Sequence, residues 1–308
     1  MKVLVVGGAG YIGGAVTDRL IEEGIPFTVF DNLTYEDHFL KPVDFIFGDV
    51  RNMELDETLV DKYSHVIWLA AIVGDAACAL TPQLTRDVNR ESLHTFSEWY
   101  DGRIIFTSTC SVYGEHHETV NEATKVNPLS LYAMTKFGAE TYLEKKDALI
   151  LRLGTAFGIS DTYSRPRMDL VVNQMAVAAA TKGIITVNGG EQWRPMIHVH
   201  DIARAIVWNL NSDRRGIYNL ATTNLQIKDL AAKVATITDC KVEYKPMAGD
   251  GRDYRVSTVK AARDDIFGSS FQHGIEFGVK QFTDLVRSGR VKDLEHNRYF
   301  NVKHLAGQ

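Results

Sequence analysis

Two side chains that could move a proton, Tyr132 and Lys136, lie four positions apart in the segment Tyr-Ala-Met-Thr-Lys. On a helix this spacing places both on one face, one turn apart. A phenol is a poor base at neutral pH, but a nearby ammonium group stabilises the phenolate. Tyr132 could then exchange a proton with a substrate hydroxyl while hydride moves to or from a bound cofactor. The spacing alone is common, so its meaning depends on the elements around it.

A hydroxyl-rich run, Phe-Thr-Ser-Thr-Cys-Ser from Phe106 to Ser111, precedes this pair and follows a predicted strand. A hydroxyl such as that of Thr109 would hydrogen-bond the reacting oxygen beside Tyr132. The hydroxyls of Thr107 and Ser111 are better explained as caps that satisfy the backbone. We therefore predict that Thr109, Tyr132 and Lys136 are catalytic.

A glycine-rich turn follows the first apolar run and contains Gly7, Gly10 and Gly13. Glycine there permits a tight turn, close approach of a pyrophosphate and close packing of helix against strand. The helix N-terminus offers free N–H groups and a partial positive charge. Asp31 ends the next strand, where a carboxylate can accept hydrogen bonds from ribose hydroxyls. No Arg or Lys occurs in Asp31-Asn32-Leu33-Thr34, so the sequence favours NAD over NADP.

The other predicted cofactor contacts follow later strands or line the same turn. The full set is Gly7, Gly10, Tyr11, Ile12, Gly13, Asp31, Asn32, Asp49, Val50, Leu69, Ala70, Ala71, Tyr132 and Lys136.

Short apolar runs alternate with helical patterns, which is typical of βαβ units around a parallel sheet. The first half predicts strands over Lys2 to Val6, Phe27 to Asp31, Asp44 to Phe47, His65 to Leu69, Arg103 to Thr107 and Leu149 to Leu153. It predicts long helices over Pro82 to Tyr100 and Leu131 to Lys146. The second half predicts helices over Asp169 to Thr181, Asp201 to Leu210, Ile227 to Ile237 and Ile275 to Ser288, and strands over Ile184 to Val187, Ile217 to Leu220 and Lys241 to Lys245.

This pattern predicts an α/β protein with a Rossmann doubly wound parallel sheet and a smaller C-terminal substrate-binding portion. We expect an NAD-binding domain over residues 1–155. Residues 156–308 should be mainly the substrate-binding portion, interleaved with the last strands of the sheet.

Composition narrows the possible classes. A chain of 308 residues with 45% hydrophobic content can bury a full core, and its net charge of -5 argues against a general nucleic-acid binder. No stretch reaches the roughly 18 apolar residues of a membrane span, and the apolar start soon runs into glycines. The three cysteines lie far apart, which indicates reduced thiols. We expect a cytoplasmic protein with neither a nucleic-acid nor a membrane partner.

Taken in order, these motifs resemble the extended short-chain dehydrogenases, the NAD-dependent epimerase/dehydratase family typified by UDP-galactose 4-epimerase. The resemblance extends to about Arg287 and implies a sugar-nucleotide substrate. It places Thr109 in the family's Ser/Thr position and makes Tyr132 the acid/base. It also implies that Lys136 holds the nicotinamide ribose and lowers the pKa of Tyr132. A homodimer through the two long helices is implied as well.

Departures from the family pattern narrow the reaction. The 4,6-dehydratases carry an Asp-Glu pair where this chain has Cys110 and Ser111, so dehydration is disfavoured. The Asn that follows the sixth strand in UDP-galactose epimerases corresponds to Thr155, which weakens the case for that substrate. The leading hypothesis is a sugar-nucleotide 4-epimerase or 4-dehydrogenase. A non-catalytic NAD-binding regulatory or scaffold protein is the alternative.

The substrate side follows from the same resemblance. Arg194 corresponds to an Arg that reaches the substrate pyrophosphate, and a guanidinium can bind phosphate oxygens through two parallel hydrogen bonds. Arg252, favoured over Arg255, is a second candidate cation. The predicted substrate-binding residues are Val73, Thr109, Asn173, Arg194 and Arg252.

Several other features receive a structural interpretation. We interpret His198 as a core residue and Asp201 as a helix N-cap, so we predict no metal site. His116 and His117 are expected in a solvated loop, and residues 165–167 in a flap over the site. Val73-Gly74-Asp75 and the tail at 297–301 look like the branch of the family that includes GDP-heptose 4-dehydrogenases.

Overall fold

A computed structural model describes residues 1–53, 62–246, 252–268 and 273–307. Its strands, in chain order, are β1 (Val3–Val6), β2 (Phe27–Asp31), β3 (Asp44–Phe47), β4 (His65–Trp68), β5 (Arg103–Thr109), β6 (Glu115–Val120), β7 (Ala148–Leu153), β8 (Thr155–Phe157), β9 (Ile184–Asn188), β10 (Trp193–His198), β11 (Gly216–Leu220), β12 (Thr223–Gln226), β13 (Lys241–Lys245) and β14 (Asp253–Val256). Its helices are α1 (Tyr11–Glu22), α2 (Asp75–Leu80), α3 (Pro82–Arg86), α4 (Ser92–Trp99), α5 (Leu131–Tyr142), α6 (Val171–Lys182), α7 (Val199–Trp208), α8 (Ile227–Thr238), α9 (Val259–Arg263), α10 (Ile275–Arg287) and α11 (Asn301–Ala306).

Seven parallel strands form the central sheet, in the order β11-β7-β5-β4-β1-β2-β3. The order reverses at β1, which pairs with β2 on one side and β4 on the other. In such sheets ligands bind beyond the carboxyl ends of the strands at this switch point. The prediction of a Rossmann doubly wound sheet is confirmed.

Helices cover both faces of the sheet because its strands are apolar on both sides. On one face Val16 and Leu20 of α1 pack with Ile202 and Ile206 of α7. On the other, Leu93 and Phe96 of α4 and Ala139 of α5 pack against Leu4 and Trp68. The turns that follow β1 and β4 are therefore held rigidly at the edge where a ligand would bind.

All six strands predicted in the first half are present; two have the predicted bounds, and the other four differ by one or two residues at one end. The predicted helix over Pro82 to Tyr100 is not uniform. After α3 it widens into a π-helical turn, Asp87–Glu91, and then continues as α4. The helix predicted over Leu131 to Lys146 ends earlier, at Tyr142.

The prediction that His116 and His117 lie in a solvated loop is wrong, because both lie within strand β6. Strand β6 pairs with β14 in parallel, so a distant segment supplies hydrogen bonds that a local pattern cannot reveal. Of the two histidines, only His117 is largely exposed.

The chain beyond residue 155 builds both the main sheet and a smaller region. β11 pairs with β7 in the central sheet, and α7 packs on α1. The smaller region has its own core, which includes Phe157, Met175, Leu230 and Phe282. A division of the chain near residue 155 remains a prediction. Within the described residues, none of the helices has the length and apolar character needed to cross a membrane.

Candidate active site

The glycine turn between β1 and α1 shows which glycines the protein itself requires. Gly7 has a φ of +83°, and a Cβ atom there would lie 2.5 Å from the backbone N of Ala70. A Cβ on Gly13 would lie 2.5 Å from the carbonyl oxygens of Gly7 and Gly8. A Cβ on Gly10 would meet just one atom within 4 Å, the Gly7 carbonyl oxygen at 3.4 Å. Gly10 thus leaves room that a closely approaching pyrophosphate would use.

Asp31 presents a fixed carboxylate at the end of β2. Its two oxygens accept hydrogen bonds from the backbone N–H groups of Ala9, at 3.0 Å, and Leu33, at 2.8 Å. Burial raises the pKa of this carboxyl group, and those hydrogen bonds oppose the rise. A buried acceptor held in this way suits the hydroxyls of a ribose ring.

Asp49 and Arg51 lie beside Asp31, after β3. Arg51 binds the Asp49 carboxylate through Nε and Nη2, at 2.9 and 2.8 Å, and Asn32 donates to it at 3.1 Å. These contacts lower the pKa of Asp49 to about 2, with the Arg51 hydrogen bond as the largest cause. Arg51 is not among the cofactor-binding residues predicted from the sequence. The structure places it in the same cavity, with its charge paired to Asp49.

A single continuous cavity of about 1370 Å³ runs from these residues to the region of Tyr132. Its volume exceeds that of an ordinary small-molecule pocket, so it has room for a dinucleotide and a second ligand. All the predicted cofactor-binding residues line it, as do Val73, Thr109, Arg194 and Arg252. The residues present therefore fit NAD.

Asn89 is a positioning residue that the sequence analysis missed. It is buried in the π-helical turn, and its amide oxygen accepts from Ile72 N at 2.7 Å while its amide nitrogen donates to Ile72 O at 2.9 Å. The thiol of Cys78 donates to the same carbonyl at 3.2 Å. These contacts fix the loop after β4, which carries Ala70, Ala71 and Val73. A break in helical regularity cannot be recognised from hydrophobic spacing, so the sequence held little signal for it.

Tyr132 and Thr109 meet as predicted. The hydroxyl of Thr109 lies near enough to the phenol to act to lower its pKa. Burial is the larger effect, and it raises the pKa of Tyr132 above its ordinary value, with Cys78 and Asp75 contributing in the same direction. Thr109 is itself held, because its hydroxyl oxygen accepts from Ser111 N at 3.1 Å.

Lys136 lies one turn further along α5 and is almost fully buried. Its Nζ donates to Thr107 O at 2.8 Å and lies 4.7 Å from the centre of the Phe106 ring. Burial lowers the pKa of Lys136 to about 8. The expectation that Lys136 lowers the pKa of Tyr132 is not met in this structure, because burial raises that pKa and the opposing influence comes from Thr109.

A buried ion pair connects helix α5 to the central sheet. Glu140, one turn after Lys136, binds Arg152 of β7 at 2.6 Å and accepts a hydrogen bond from Ser108 of β5. Arg152 also donates to the hydroxyl of Tyr113 at 3.0 Å. These contacts join α5, β5 and β7, the three elements that carry or flank the catalytic candidates.

The two positions that distinguish this chain from the dehydratases differ in their surroundings. Cys110 is fully buried, and its thiol donates to Arg152 O at 3.1 Å. Ser111 lines the cavity, and its hydroxyl lies 3.2 Å from that of Tyr254. Neither position supplies a carboxylate to the cavity.

Arg194 and Arg252 lie together at the substrate end. Arg194 is buried, and its Nη1 donates to the carbonyl oxygens of Trp193 and Arg252. The guanidinium of Arg252 binds Asp75 at 3.2 Å. Arg255 instead lies over the Trp193 ring and donates to His117 O, outside the cavity wall.

The prediction made for Asn173 is wrong. This residue was predicted to contact the substrate, but it is fully buried and does not line the cavity. Its amide oxygen accepts from Gly158 N at 2.9 Å and its amide nitrogen donates to Arg167 O at 2.8 Å. Both ends of the amide therefore hold backbone, which fixes the start of the segment that continues toward Arg165 and Arg167.

The histidines of β10 and α7 are structural. His198 is fully buried, and its Nδ1 accepts from His200 N at 3.1 Å, so His198 and not Asp201 is the N-cap of α7. Asp201 instead accepts from the backbone and ring of His273, at 2.7 and 2.9 Å. Within the described ranges no group of side chains has the arrangement of a metal site.

The C-terminal segment closes one side of the cavity. Asn301 donates to Val73 O at 2.9 Å, and its backbone N donates to Asp169 at 2.9 Å. His304 contacts Thr34 O at 2.8 Å, next to Asp31. Arg165 binds Asn301 and lies 4.5 Å above the Tyr35 ring. The segment therefore bridges the loop after β2 and the loop after β4.

Comparison with known proteins agrees with this geometry. Residues 3–221 match the model of the NAD dependent epimerase/dehydratase family. The chain belongs to this family, and the identification as a member of the NAD-dependent extended short-chain dehydrogenases is confirmed.

Individual relatives catalyse different reactions on sugar nucleotides. The chain is 30% identical over 237 residues to a putative UDP-glucose 4-epimerase of Methanocaldococcus jannaschii, covering 71% of this chain and 76% of the relative. It is 27% identical over 290 residues to UDP-glucuronic acid decarboxylase 1 of Arabidopsis thaliana, covering 86% and 65%. The solved UDP-glucose 4-epimerase of Thermus thermophilus, in complex with NAD, superposes with a TM-score of 0.76 at 26% identity, covering 92% of this chain and 99% of that one.

Proposed function

We propose that this protein oxidises the C4 position of a sugar nucleotide, as a 4-epimerase or a 4-dehydrogenase. The observation that carries the proposal is that Thr109, Tyr132 and Lys136 all line the cavity that the glycine turn also lines. A protein that only bound NAD would not need a phenol, a hydroxyl and an ammonium group arranged around one position.

Tyr132 takes the proton of the C4 hydroxyl as that carbon loses hydride. Bound NAD supplies the hydride acceptor. Thr109 holds the same oxygen by a hydrogen bond and so orients it. In the forward step Tyr132 acts as the phenolate, a form that the positive charge of Lys136 would favour. The raised pKa of Tyr132 favours its protonated form at neutral pH, which suits the reverse step.

Arg194 and Arg252 provide positive charge for the pyrophosphate of the substrate in a chain whose net charge is -5. Cys110 and Ser111 supply no carboxylate for elimination of water, so the product should keep its C6 hydroxyl. An epimerase would return hydride to the other face of a rotated ketosugar, whereas a dehydrogenase would release the ketosugar.

A thermal-shift screen of the NAD-saturated protein tests this proposal. We expect one class among UDP, GDP, CDP and dTDP sugars to raise the melting temperature by several degrees, since a ligand at 100 times its Kd stabilises the folded state by about 2.7 kcal/mol. A shift with NAD but with none of the four classes would favour the non-catalytic alternative.

A further inference from the structure

Among the described residues, the wall of the cavity around Tyr132 is rich in hydroxyl groups and includes the carboxylate of Asp75. Thr109, Ser111 and Tyr254 line this part of the cavity. Asp75 begins α2, directly after the loop that Asn89 fixes. This is the end of the cavity at which a substrate hydroxyl would meet the phenol.

Two side chains from different elements hold the Asp75 carboxylate. The hydroxyl of Ser130, the N-cap of α5, donates to Oδ1 at 2.6 Å. The guanidinium of Arg252 binds Oδ2 at 3.2 Å. The carboxylate is therefore fixed between the helix that carries Tyr132 and the residue proposed to contact the substrate pyrophosphate.

The negative charge of Asp75 acts on the phenol of Tyr132. After burial, the groups that most raise the pKa of Tyr132 are Cys78 and Asp75. Burial raises the pKa of the Cys78 thiol to about 12, so this thiol is neutral near pH 7. Asp75 is then the negative charge that acts on the position where the sugar reacts.

Several of the cations that line the cavity are already engaged by other groups. Arg51 is paired with Asp49, Arg167 with Asp169 and Arg252 with Asp75. Lys136 directs its ammonium group at Thr107 O. While Arg252 stays on Asp75, the two charges largely offset each other. If Arg252 turned to the pyrophosphate, Asp75 would be left without its cation, and repulsion of a second carboxylate would increase.

We propose that Asp75 restricts the substrate to sugar nucleotides whose sugar ring is neutral, and excludes those that carry a carboxylate. This inference rests on the proposed function, because it concerns the sugar part of that same site. Among the relatives, one is named for UDP-glucose, whose sugar is neutral, and one for UDP-glucuronic acid, whose sugar carries a carboxylate. A fixed like charge is a common way to reject a wrong ligand.

The test compares matched pairs of ligands by calorimetry on the NAD-saturated protein. The probes are UDP-glucose and UDP-glucuronate, with GDP-mannose and GDP-mannuronate as a second pair. We expect the neutral member of at least one pair to bind at least about tenfold more tightly. Asp75→Asn keeps the shape and an acceptor for Ser130 but removes the charge, so the preference should fall to within about threefold.

Asp44→Asn is the control, since it removes the same charge from an exposed side chain at the start of β3, outside the cavity. It should leave the preference unchanged. Equal or tighter binding of the acidic sugar to the unaltered protein would overturn the inference and leave the proposed function standing. An Asp75→Asn protein that binds NAD normally and keeps the full preference would also overturn it. If none of the four probes bound, the inference would be overturned for UDP and GDP sugars, and the thermal-shift screen over all four nucleotide classes would decide the proposed function separately.

Discussion

Tyr132 is the residue on which the proposed reaction depends, because it alone exchanges the proton of the reacting hydroxyl. Tyr132→Phe removes that oxygen with little change in volume, so the protein should fold and bind NAD. Turnover should fall by roughly 10² to 10⁴, the usual contribution of general acid–base catalysis. Steady-state kinetics with the sugar nucleotide found in the screen measures this. Tyr142→Phe, on the same helix with its ring against His94, is the control and should keep its activity. A Tyr132→Phe protein with unaltered turnover would contradict the assignment.

Lys136 predicts an unusual dependence of stability on pH. Its pKa is lowered to about 8 in the folded protein, from an ordinary 10.5. Between these values the unfolded chain binds a proton that the folded chain does not, so the free energy of unfolding rises with pH in this window. Across the whole window, the titration of Lys136 should raise the free energy of unfolding by on the order of 3 kcal/mol.

Lys136→Met removes the titrating group and therefore this rise of the free energy of unfolding with pH. The stability of the unaltered protein relative to the variant should therefore improve from pH 7 to pH 10. Urea unfolding of both proteins at pH 7, 8.5 and 10 measures the difference. Parallel pH profiles would mean that the ammonium group is not desolvated in the folded state.

Asp31 should determine the preference for NAD over NADP. Its oxygens are held by two backbone N–H groups, so the carboxylate cannot turn away from a 2′-phosphate. Asp31→Asn should keep one acceptor and weaken NAD binding by about 1 to 3 kcal/mol. It should also reduce the difference between the affinities for NAD and for NADP. Calorimetric titration of both cofactors measures this. Tighter binding of NADP than NAD to the unaltered protein would contradict the role given to Asp31.

At the scale of elements, the C-terminal segment should support both halves of the cavity. Asn301 is buried and holds Val73 O, Asp169 and Arg165. Asn301→Ala should lower the free energy of unfolding by about 1 to 3 kcal/mol, because it leaves buried partners without hydrogen bonds. It should also weaken sugar-nucleotide binding, since Val73 lines the cavity.

Lys303→Ala is the matched control on the same helix. Its side chain is exposed and pairs with Glu295 at 3.5 Å, so the change in stability should stay within about 0.5 kcal/mol. Chemical unfolding and calorimetry compare the two variants. Equal stabilities would show that Asn301 does not hold these loops.

Elements with a strong local signal could be predicted from the sequence. β1, α1 and β2 have an apolar run, helical spacing and a terminal acid, and the structure places Gly7, Gly13 and Asp31 as expected. β6 could not be predicted, because its stability comes from pairing with β14, far along the chain. The amide of Asn173 resembles a ligand group in the sequence, yet it binds backbone in the core. A pattern of residue types does not state which way a buried amide turns.

For the whole molecule, the family resemblance predicts a homodimer through the helices near Pro82 to Tyr100 and Leu131 to Lys146. Met134 of α5 and Trp99 of α4 are 53% and 40% exposed, which is unusual for large apolar side chains. Sedimentation velocity should give twice the chain mass of 34.4 kDa. Met134→Lys should shift the species toward a monomer. A monomer at micromolar concentration of the unaltered protein would contradict the prediction.

The central claim concerns the whole catalytic assembly, namely that hydride leaves C4 of a sugar nucleotide. The most direct test is to incubate the enzyme and NAD with the C4-deuterated form of the sugar nucleotide found in the screen. Mass spectrometry and NMR then follow the label. The account predicts either deuterium on the inverted C4 of the product, for an epimerase, or deuterated NADH with a released 4-ketosugar, for a dehydrogenase. Deuterium that stays on an unchanged substrate would contradict this claim. A product that has lost its C6 hydroxyl would contradict the assignment as a 4-epimerase or 4-dehydrogenase.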